Sequence, residues 1–348
     1  MRGDSGATLM VLLGLWRPAG AISSRSGGAA VLLADDHPWD QPAALDAQAN
    51  TTAIRAITRD DVAPPPAVIV MTPAGRRDRM QLLVLHLTVH HTAGSVDAWY
   101  LWDNTREDAD SMYLRSLDAS HTWIHRMPFP SACNAGDDRA LRGNNQGVIC
   151  FWRDAAVQKL AFANTVIRLD DDIVWLDSPD ALRSWVAFTR DRPYVTYANV
   201  LNNQMSEFFL QTECHKLLEL PLVKRNCTGM DSWSNGSHAV ALHRAVLAQG
   251  PRSLRCSRTI ELHAERYSIN AVAWHGPHLA RLRPGALPHN LRGDDEEDLS
   301  VHIPKQMGLN TSWFGEFVAA HFSFFTQDEA VVAASDVFEG YKALAPHT

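Results

Sequence analysis

Three consecutive carboxylates, Asp170, Asp171 and Asp172, stand between two short apolar runs. The run TVIRL precedes them and IVWL follows, so three like charges lie close together at the end of a predicted buried strand. Neighbouring carboxylates raise one another's pKa unless a cation or strong hydrogen-bond donors keep them ionised. Hard oxygen ligands of this kind select Mg²⁺, Mn²⁺ or Ca²⁺. The triplet therefore indicates a divalent-cation site, and a solvated turn whose acids face water is the alternative.

The elements around the triplet alternate between short apolar strands and helical segments. The sequence predicts strands at 67–75, 95–105, 121–127 and 165–169, with helices at 76–91, 106–117 and 154–164 and a loop rich in Gly and Asn before the last helix. Such alternation predicts an α/β fold, Rossmann-like, with a mostly parallel central sheet flanked by helices in a single domain. Residues 1–66 lack periodicity and end in a proline run, so they are expected to form a tail or linker.

Polar residues follow three of the predicted strands at the point where each strand ends. Thr72 and Pro73 close the first strand, Asp103 the second and Asp170 the last. Ligands of open parallel sheets bind outside the carboxyl ends of the strands, so these residues are expected to meet at one edge. Arg76 begins the helix after the first strand, where helix N–H groups favour an anion. Neither a P-loop nor a dinucleotide-binding glycine fingerprint occurs in the sequence.

Composition limits the partners. The formal net charge of −7 over 348 residues gives no reason to expect a nucleic-acid partner. The apolar segment Ala7–Trp16 has about half of the ~20 residues that a spanning helix needs, so no transmembrane span is predicted, although a signal-like start would fit. Five cysteines without a CxxC pair argue against zinc and leave disulfides undecided. Glycosylation sequons begin at Asn50, Asn226, Asn235 and Asn310. Localisation stays open between the cytoplasm and the secretory-pathway lumen.

The segment RLDDDIVWL resembles the DxD motif of sugar-nucleotide-dependent glycosyltransferases of the GT-A fold. The resemblance covers roughly residues 67 to 330, and the segments ERYSINAVAWHG, DDEEDLSVHIPKQMG and FVAAHFSFFTQ are similar to the C-terminal half of such enzymes. It implies a GT-A-like catalytic domain with a nucleotide-sugar-binding half at 67–200 and an acceptor-binding half at 201–348.

The resemblance also implies a role for each matching residue. The donor, a nucleotide diphosphate sugar, would be contacted by Thr72, Pro73, Arg76, Asp103, Asp170 and Asp171. The metal, Mn²⁺ or Mg²⁺, would be held by Asp170 and Asp172, and the neutral imidazole of His321 would complete its ligands. A histidine buried in the core is the alternative for His321.

Four further residues are candidates for acceptor chemistry. An inverting transferase needs a carboxylate as general base on the acceptor hydroxyl, and Asp295 or Glu296 is expected to supply it, unless the acidic run 294–298 is a solvated loop. Ser268 and Asn270 are expected to bind sugar hydroxyls, with a structural role as the alternative. The acceptor would be a glycan, a protein or a small molecule. A metal-dependent phosphoester hydrolase and a non-catalytic sugar-nucleotide-binding protein are the competing functions.

Overall fold

The computed structural model describes residues 66–133, 141–143, 145–225, 233–282, 285–288, 294–322, 324, 327, 329–333 and 335–346. These residues form a single α/β domain in which helices flank a nine-stranded sheet. The predicted tail at 1–66, with its signal-like segment, falls outside them except for residue 66. The division of the domain into halves at residue 200 stays a prediction. Among the helices described, none is both long and apolar enough to cross a membrane.

The elements are numbered in chain order. The strands are β1 (Val68–Ala74), β2 (Ala98–Asp103), β3 (Ile124–Met127), β4 (Thr165–Leu169), β5 (Ile173–Leu176), β6 (Thr196–Leu201), β7 (Thr259–Leu262), β8 (Ala271–His275) and β9 (Thr311–His321). The helices are α1 (Arg77–Thr92), α2 (Asp108–Ser120), α3 (Asn145–Arg153), α4 (Ala155–Ala163), α5 (Pro179–Arg190), α6 (Gln204–Thr212), α7 (Gly236–Gln249), α8 (Gly276–Leu282), α9 (Ile303–Met307), α10 (Glu329–Ala333) and α11 (Val337–Leu344). A short helical segment, Asp295–Glu297, and a π-helical turn, Asp298–His302, lead into α9.

The sheet is mixed, so the prediction of a mostly parallel sheet is only partly correct. The strand order is β3-β2-β1-β4-β8-β6-β9-β5, and β7 pairs with β9. Strand β1 pairs in parallel with β2 and β4, β2 with β3, and β6 with β9. Strand β8 is antiparallel to β4 and β6, and strands β5 and β7 are antiparallel to β9. Parallel neighbours in sequence need a crossover of a dozen or so residues. Only Asp170–Asp172 lies between β4 and β5, which is too short for such a crossover, and the pairings show that β5 runs opposite to β4.

Apolar side chains cover both faces of the sheet. In β1, Ile69 and Met71 face a core formed with α3 and α4, whereas Val70 faces a second core formed with α1 and α5. Burial on both faces explains why the strands appear in the sequence as continuous apolar runs. A third core lies among β5, α7 and α11, where Val174, Val246 and others pack.

Two disulfide bonds link described elements. Cys133 bonds to Cys150 of α3, and Cys214, just after α6, bonds to Cys256, which precedes β7. Sequence analysis could not assign these pairs, since the cysteines are odd in number. The fifth cysteine, Cys227, lies outside the described residues.

Candidate metal centre at the sheet edge

Strand directions bring three chain segments to one edge of the sheet. Strand β6 runs in the same direction as β4, because both are antiparallel to β8, and β9 is parallel to β6. The carboxyl ends of β4 and β9 therefore lie at the same edge, together with the start of β5. In the register of β5 and β9, Ile173 pairs with His321. This pairing places the last residue of β9 beside the acidic turn that precedes Ile173.

Asp170, Asp172 and His321 converge at this edge. One ligand atom from each residue lies within 4.8 Å of the others. The Nε2 atom of His321 is 3.1 Å from Oδ1 of Asp172 and 3.9 Å from Oδ2 of Asp170. Asp172 and His321 are almost fully buried, with 1% and 3% of their side chains exposed, while 22% of Asp170 is open to solvent. The structure thus brings together all three predicted metal ligands.

The ligand atoms fit a divalent cation. Oδ1 of Asp172 is buried and has His321 Nε2 3.1 Å away, but it accepts no well-aligned hydrogen bond from the described residues. Burying a polar atom without a partner is unfavourable, and a cation bound by Asp172 would supply the missing interaction. The two carboxylates are the hard oxygen ligands that Mn²⁺ and Mg²⁺ prefer, and the imidazole favours the first-row metal Mn²⁺ over Mg²⁺.

Two arginines also face Asp172: Arg76, which directly precedes α1, and Arg79, which lies in its first turn. Arg76 Nη1 is 3.0 Å and Arg79 Nη1 is 3.5 Å from Oδ2 of Asp172. Burial alone would raise the pKa of Asp172, but Arg76, His321 and Arg79 outweigh it and hold this pKa well below its ordinary value. Asp172 is therefore ionised at neutral pH, as a metal ligand must be.

Asp171, the middle acid, points towards the turn between β1 and α1. Its Oδ2 accepts hydrogen bonds from the backbone N–H groups of Gly75 and Arg76, at 2.7 and 2.8 Å. Its Oδ1 accepts from Nε of Arg76 at 2.8 Å and forms an ion pair with the same guanidinium. Both oxygens are engaged within the protein, so the predicted donor contact of Asp171 would be made through the turn that it holds.

Arg168 is a residue of this site that the sequence interpretation missed. It lies in β4 with 6% of its side chain exposed, and Nη1 is 2.7 Å from Oδ1 of Asp170. Its Nη2 is 3.6 Å from Oδ2 of Asp295. One guanidinium thus joins a predicted metal ligand to a predicted general base. The signal was present in the sequence as a single charged residue within the apolar strand TVIRL.

Asp295 is buried and Glu296 is partly exposed, and the two acids have different neighbours. Oδ2 of Asp295 accepts from Trp152 Nε1 at 3.2 Å. Glu296 accepts from Arg266 Nε at 2.8 Å and from the Ser268 hydroxyl at 2.7 Å, one bond on each oxygen. Burial raises the pKa of both carboxyl groups above their ordinary values despite these donors.

Ser268 and Asn270, predicted to bind sugar hydroxyls, hold the acids in place. Ser268 donates to Glu296, and Nδ2 of Asn270 donates to Oδ2 of Asp170 at 2.8 Å. The N–H of Asp170 donates to the Asn270 carbonyl at 2.9 Å, so the start of β8 and the end of β4 are joined twice. Their predicted contact with sugar stays a prediction.

The remaining predicted donor residues lie at the ends of β1 and β2. Thr72 is buried and accepts a hydrogen bond from Trp99 Nε1 at 2.9 Å, while Pro73 is partly exposed. Asp103 is fully buried and accepts from the hydroxyls of Thr105, at 2.6 Å, and Ser111, at 2.8 Å. It also accepts from Nε of Arg126, at 2.7 Å. Burial would raise the pKa of Asp103, but these donors hold it below its ordinary value.

Comparison with known proteins finds weak similarity to solved structures. No protein-family model and no curated protein matches the chain. The crystal structure of mannose-1-phosphate geranyltransferase from Thermus thermophilus is similar over 73% of this chain and 75% of that chain, with 14% sequence identity and a TM-score of 0.33. A similarity at this level carries no argument about function, so the function is argued from the geometry of the site.

Proposed function

We propose that this protein is a metal-dependent glycosyltransferase that uses a nucleotide diphosphate sugar as donor and a glycan, a protein or a small molecule as acceptor. The observation that supports the proposal most is the convergence of Asp170, Asp172 and His321 beside Arg76 at the sheet edge. When bound there, Mn²⁺ or Mg²⁺ would act as a Lewis acid towards the charge that develops on the departing diphosphate.

The arginines of α1 would bind the phosphate oxygens. Arg76 has 45% of its side chain exposed, and it precedes a 16-residue helix whose first N–H groups favour an anion. Arg79 lies one turn further on, and both guanidinium groups contact Asp172. A cation that takes the charge of Asp172 would leave Nη1 of Arg76 available to the diphosphate, while Asp171 keeps the rest of that guanidinium in place.

Of the two candidate bases, the geometry favours Asp295. Each oxygen of Glu296 accepts a hydrogen bond, whereas Oδ1 of Asp295 accepts none from the described residues. The guanidinium of Arg168 lies between Asp295 and Asp170 and is close to a carboxylate oxygen of each. The raised pKa of Asp295 makes its carboxylate a stronger base than an exposed aspartate, which suits removal of a proton from an acceptor hydroxyl.

The proposal is tested by measuring nucleotide binding with and without metal. Isothermal titration of the wild type with UDP and with GDP should show binding that depends on Mn²⁺ and is lost in EDTA. Asp172→Asn should weaken this binding by about 100-fold or more, because it removes a charged metal ligand whose contribution is several kcal/mol. Asp180→Asn is the matched control, since Asp180 is an exposed acid at the start of α5, and it should bind as the wild type does.

Turnover separates the competing functions. Release of UDP or GDP from a panel of nucleotide sugars in the presence of Mn²⁺ supports glycosyl transfer. Release of phosphate from a simple phosphoester without nucleotide release indicates a hydrolase, and binding without either product indicates a non-catalytic protein. Wild-type nucleotide binding that is equal in Mn²⁺ and in EDTA contradicts the metal site itself.

A further inference from the structure

Within the described residues, His321 has no partner for the hydrogen bond that commonly orients a metal-binding histidine. Its Nε2 faces Asp172, and its buried Nδ1 has no partner among the described residues. In most metal sites the second ring nitrogen of a ligating histidine donates to a carboxylate or carbonyl oxygen, and this bond fixes the direction of the ring. The ring of His321 instead contacts Phe324, with 4.6 Å between centroids. Besides these contacts with Asp172 and Phe324, the backbone that carries the ring is the constraint on its direction that the described residues provide.

The backbone of Phe322, the next residue, is held on both sides. Its N–H donates to the carbonyl of Asp172 at 2.9 Å, which connects it to the other buried ligand. Its carbonyl accepts two hydrogen bonds, from Asn202 Nδ2 at 3.1 Å and from His243 Nε2 at 3.0 Å. The backbone next to His321 is thus fixed by side chains from α7 and from the residue that follows β6.

His243 and Tyr341 form the part of this arrangement that is furthest from the ligands. Both are fully buried, and Nδ1 of His243 is 2.9 Å from the Tyr341 hydroxyl. A carbonyl oxygen only accepts hydrogen bonds, so Nε2 of His243 must carry the hydrogen that it donates to the Phe322 carbonyl. Nδ1 of His243 then accepts a hydrogen bond from the Tyr341 hydroxyl. Burial lowers the pKa of His243 to about 4, so the ring is neutral at pH 7. The Phe322 carbonyl therefore selects the tautomer with the proton on Nε2, and the Tyr341 hydroxyl supports it by donating to Nδ1.

We infer that His243 and Tyr341 are positioning residues for the metal site, because they hold the backbone that directs the imidazole of His321. The inference rests on the proposed metal site and adds to it a requirement for one residue of α7 and one of α11 that are not among the three candidate ligands. It also explains how His321 is kept in one orientation although its Nδ1 has no partner among the described residues.

The test is the affinity of the full chain for Mn²⁺, measured by isothermal titration alone and with UDP. His243→Leu removes the donor to Phe322 and should weaken Mn²⁺ binding by about 10- to 100-fold, the usual effect of losing an outer partner of a metal ligand. His243→Gln should recover part of the loss, since its amide can donate to the same carbonyl. Tyr341→Phe removes one hydroxyl and serves as the milder variant if His243→Leu does not fold; it should bind Mn²⁺ a few-fold more weakly than the wild type.

His90 provides a matched control. It is also buried, with Nε2 2.9 Å from the Asp177 carbonyl and Nδ1 3.1 Å from the Ser95 hydroxyl, but it lies at the end of β5 opposite to Asp172. His90→Leu should lower the melting temperature as His243→Leu does and leave Mn²⁺ affinity unchanged. In a His321→Ala background, His243→Leu should cause no further loss of Mn²⁺ binding.

Two results overturn the inference while leaving the proposed function intact. Wild-type Mn²⁺ affinity in both His243→Leu and Tyr341→Phe would show that these two residues do not position His321. An equal loss of affinity in His90→Leu would show that the effect is general destabilisation. If the wild type itself binds no Mn²⁺, with or without UDP, the proposed metal site fails and the inference fails with it.

Discussion

The buried acids of the site have pKa values that their surroundings shift in opposite directions. Burial opposes ionisation of both Asp172 and Asp295. The cationic groups around Asp172 outweigh burial and lower its pKa, whereas Arg168 and Trp152 do not outweigh it at Asp295, whose pKa is raised. Enzymes give different roles to similar acids, such as charged ligand and base, by placing them in surroundings that shift their pKa values apart. The two residues therefore suit the two roles proposed for them.

The role of Asp295 predicts a pH dependence. A general base acts when deprotonated, so kcat/KM should rise with pH through a value above the ordinary range of aspartate. Asp295→Asn should remove this rise, the acidic limb of the pH profile, and lower kcat by about 10²- to 10⁴-fold. Mn²⁺-dependent nucleotide binding should stay within a few-fold of the wild type. Glu296→Gln is the comparison, and it should keep the limb. An unchanged profile in Asp295→Asn, with loss of the limb in Glu296→Gln, would reassign the base.

The same shifts have opposite consequences for folding. The pKa of Asp172 is lower in the folded state, so its contribution to stability is present above its unfolded pKa and is lost as pH falls through the folded pKa. The pKa of Asp295 is raised, so its contribution is present below its unfolded pKa and is lost as pH rises through the folded value.

At the scale of elements, the acidic turn and the β1–α1 turn form one unit through Asp171. The carboxylate of Asp171 binds the backbone of Gly75 and Arg76, so the middle acid fixes the place of the helix start. The outer acids face the metal site instead. The side chain of the middle acid thus points to the β1–α1 turn and those of the outer acids point to the metal site, a difference that the sequence motif does not reveal.

This division predicts different effects for the middle and outer acids. Asp171→Asn weakens charge-assisted hydrogen bonds to the turn and should lower the free energy of unfolding of the metal-free protein by about 2 kcal/mol. Asp172→Asn should abolish Mn²⁺ binding instead. Urea denaturation and Mn²⁺ titration of both variants check this. If Asp171→Asn keeps wild-type stability and loses Mn²⁺ binding, the middle acid is a ligand.

Local sequence patterns predicted the first half of the sheet well. All seven elements expected between residues 67 and 169 are present with similar bounds, from β1 to β4, because apolar runs and helical periodicity agree with burial there. Helix α3 was not expected, since glycine and asparagine at its start indicated a loop. Strand direction in the second half depends on pairing between distant segments, so the antiparallel β8 could not be read from local pattern. The contact between His321 and Asp172 depends on the same long-range register.

At the scale of the whole molecule, the two disulfides should contribute to stability. They close loops with sequence separations of 17 and 42, for which chain entropy gives about 3 and about 4 kcal/mol. We expect a reducing agent to lower the melting temperature, and the pair of changes Cys214→Ser and Cys256→Ser to cost more than Cys133→Ser with Cys150→Ser. Alkylation and mass spectrometry of the unreduced protein should find these four cysteines protected. Full alkylation without reductant would contradict the pairing.

Disulfides also bear on localisation. Bonds of this kind persist mainly in oxidising compartments and are rare in the cytosol. Of the two compartments that the sequence left open, they favour the secretory-pathway lumen. Of the sequons, Asn235 and Asn310 lie at exposed positions of the described chain, while Asn50 and Asn226 fall outside it.

The short link between β4 and β5 sets a limit on the shape of the sheet. Strands β8, β6 and β9 lie between them, which in a flat sheet would separate β4 from β5 by four strand spacings, or about 19 Å. The chain from Leu169 to Ile173 can span only about 14 Å. The sheet therefore has to curl until its edge strand β5 approaches β4 in its middle, and Asp170–Asp172 connect these two strands directly. A cation held at that bridge would resist uncurling, so metal binding should stiffen the whole sheet as well as the site.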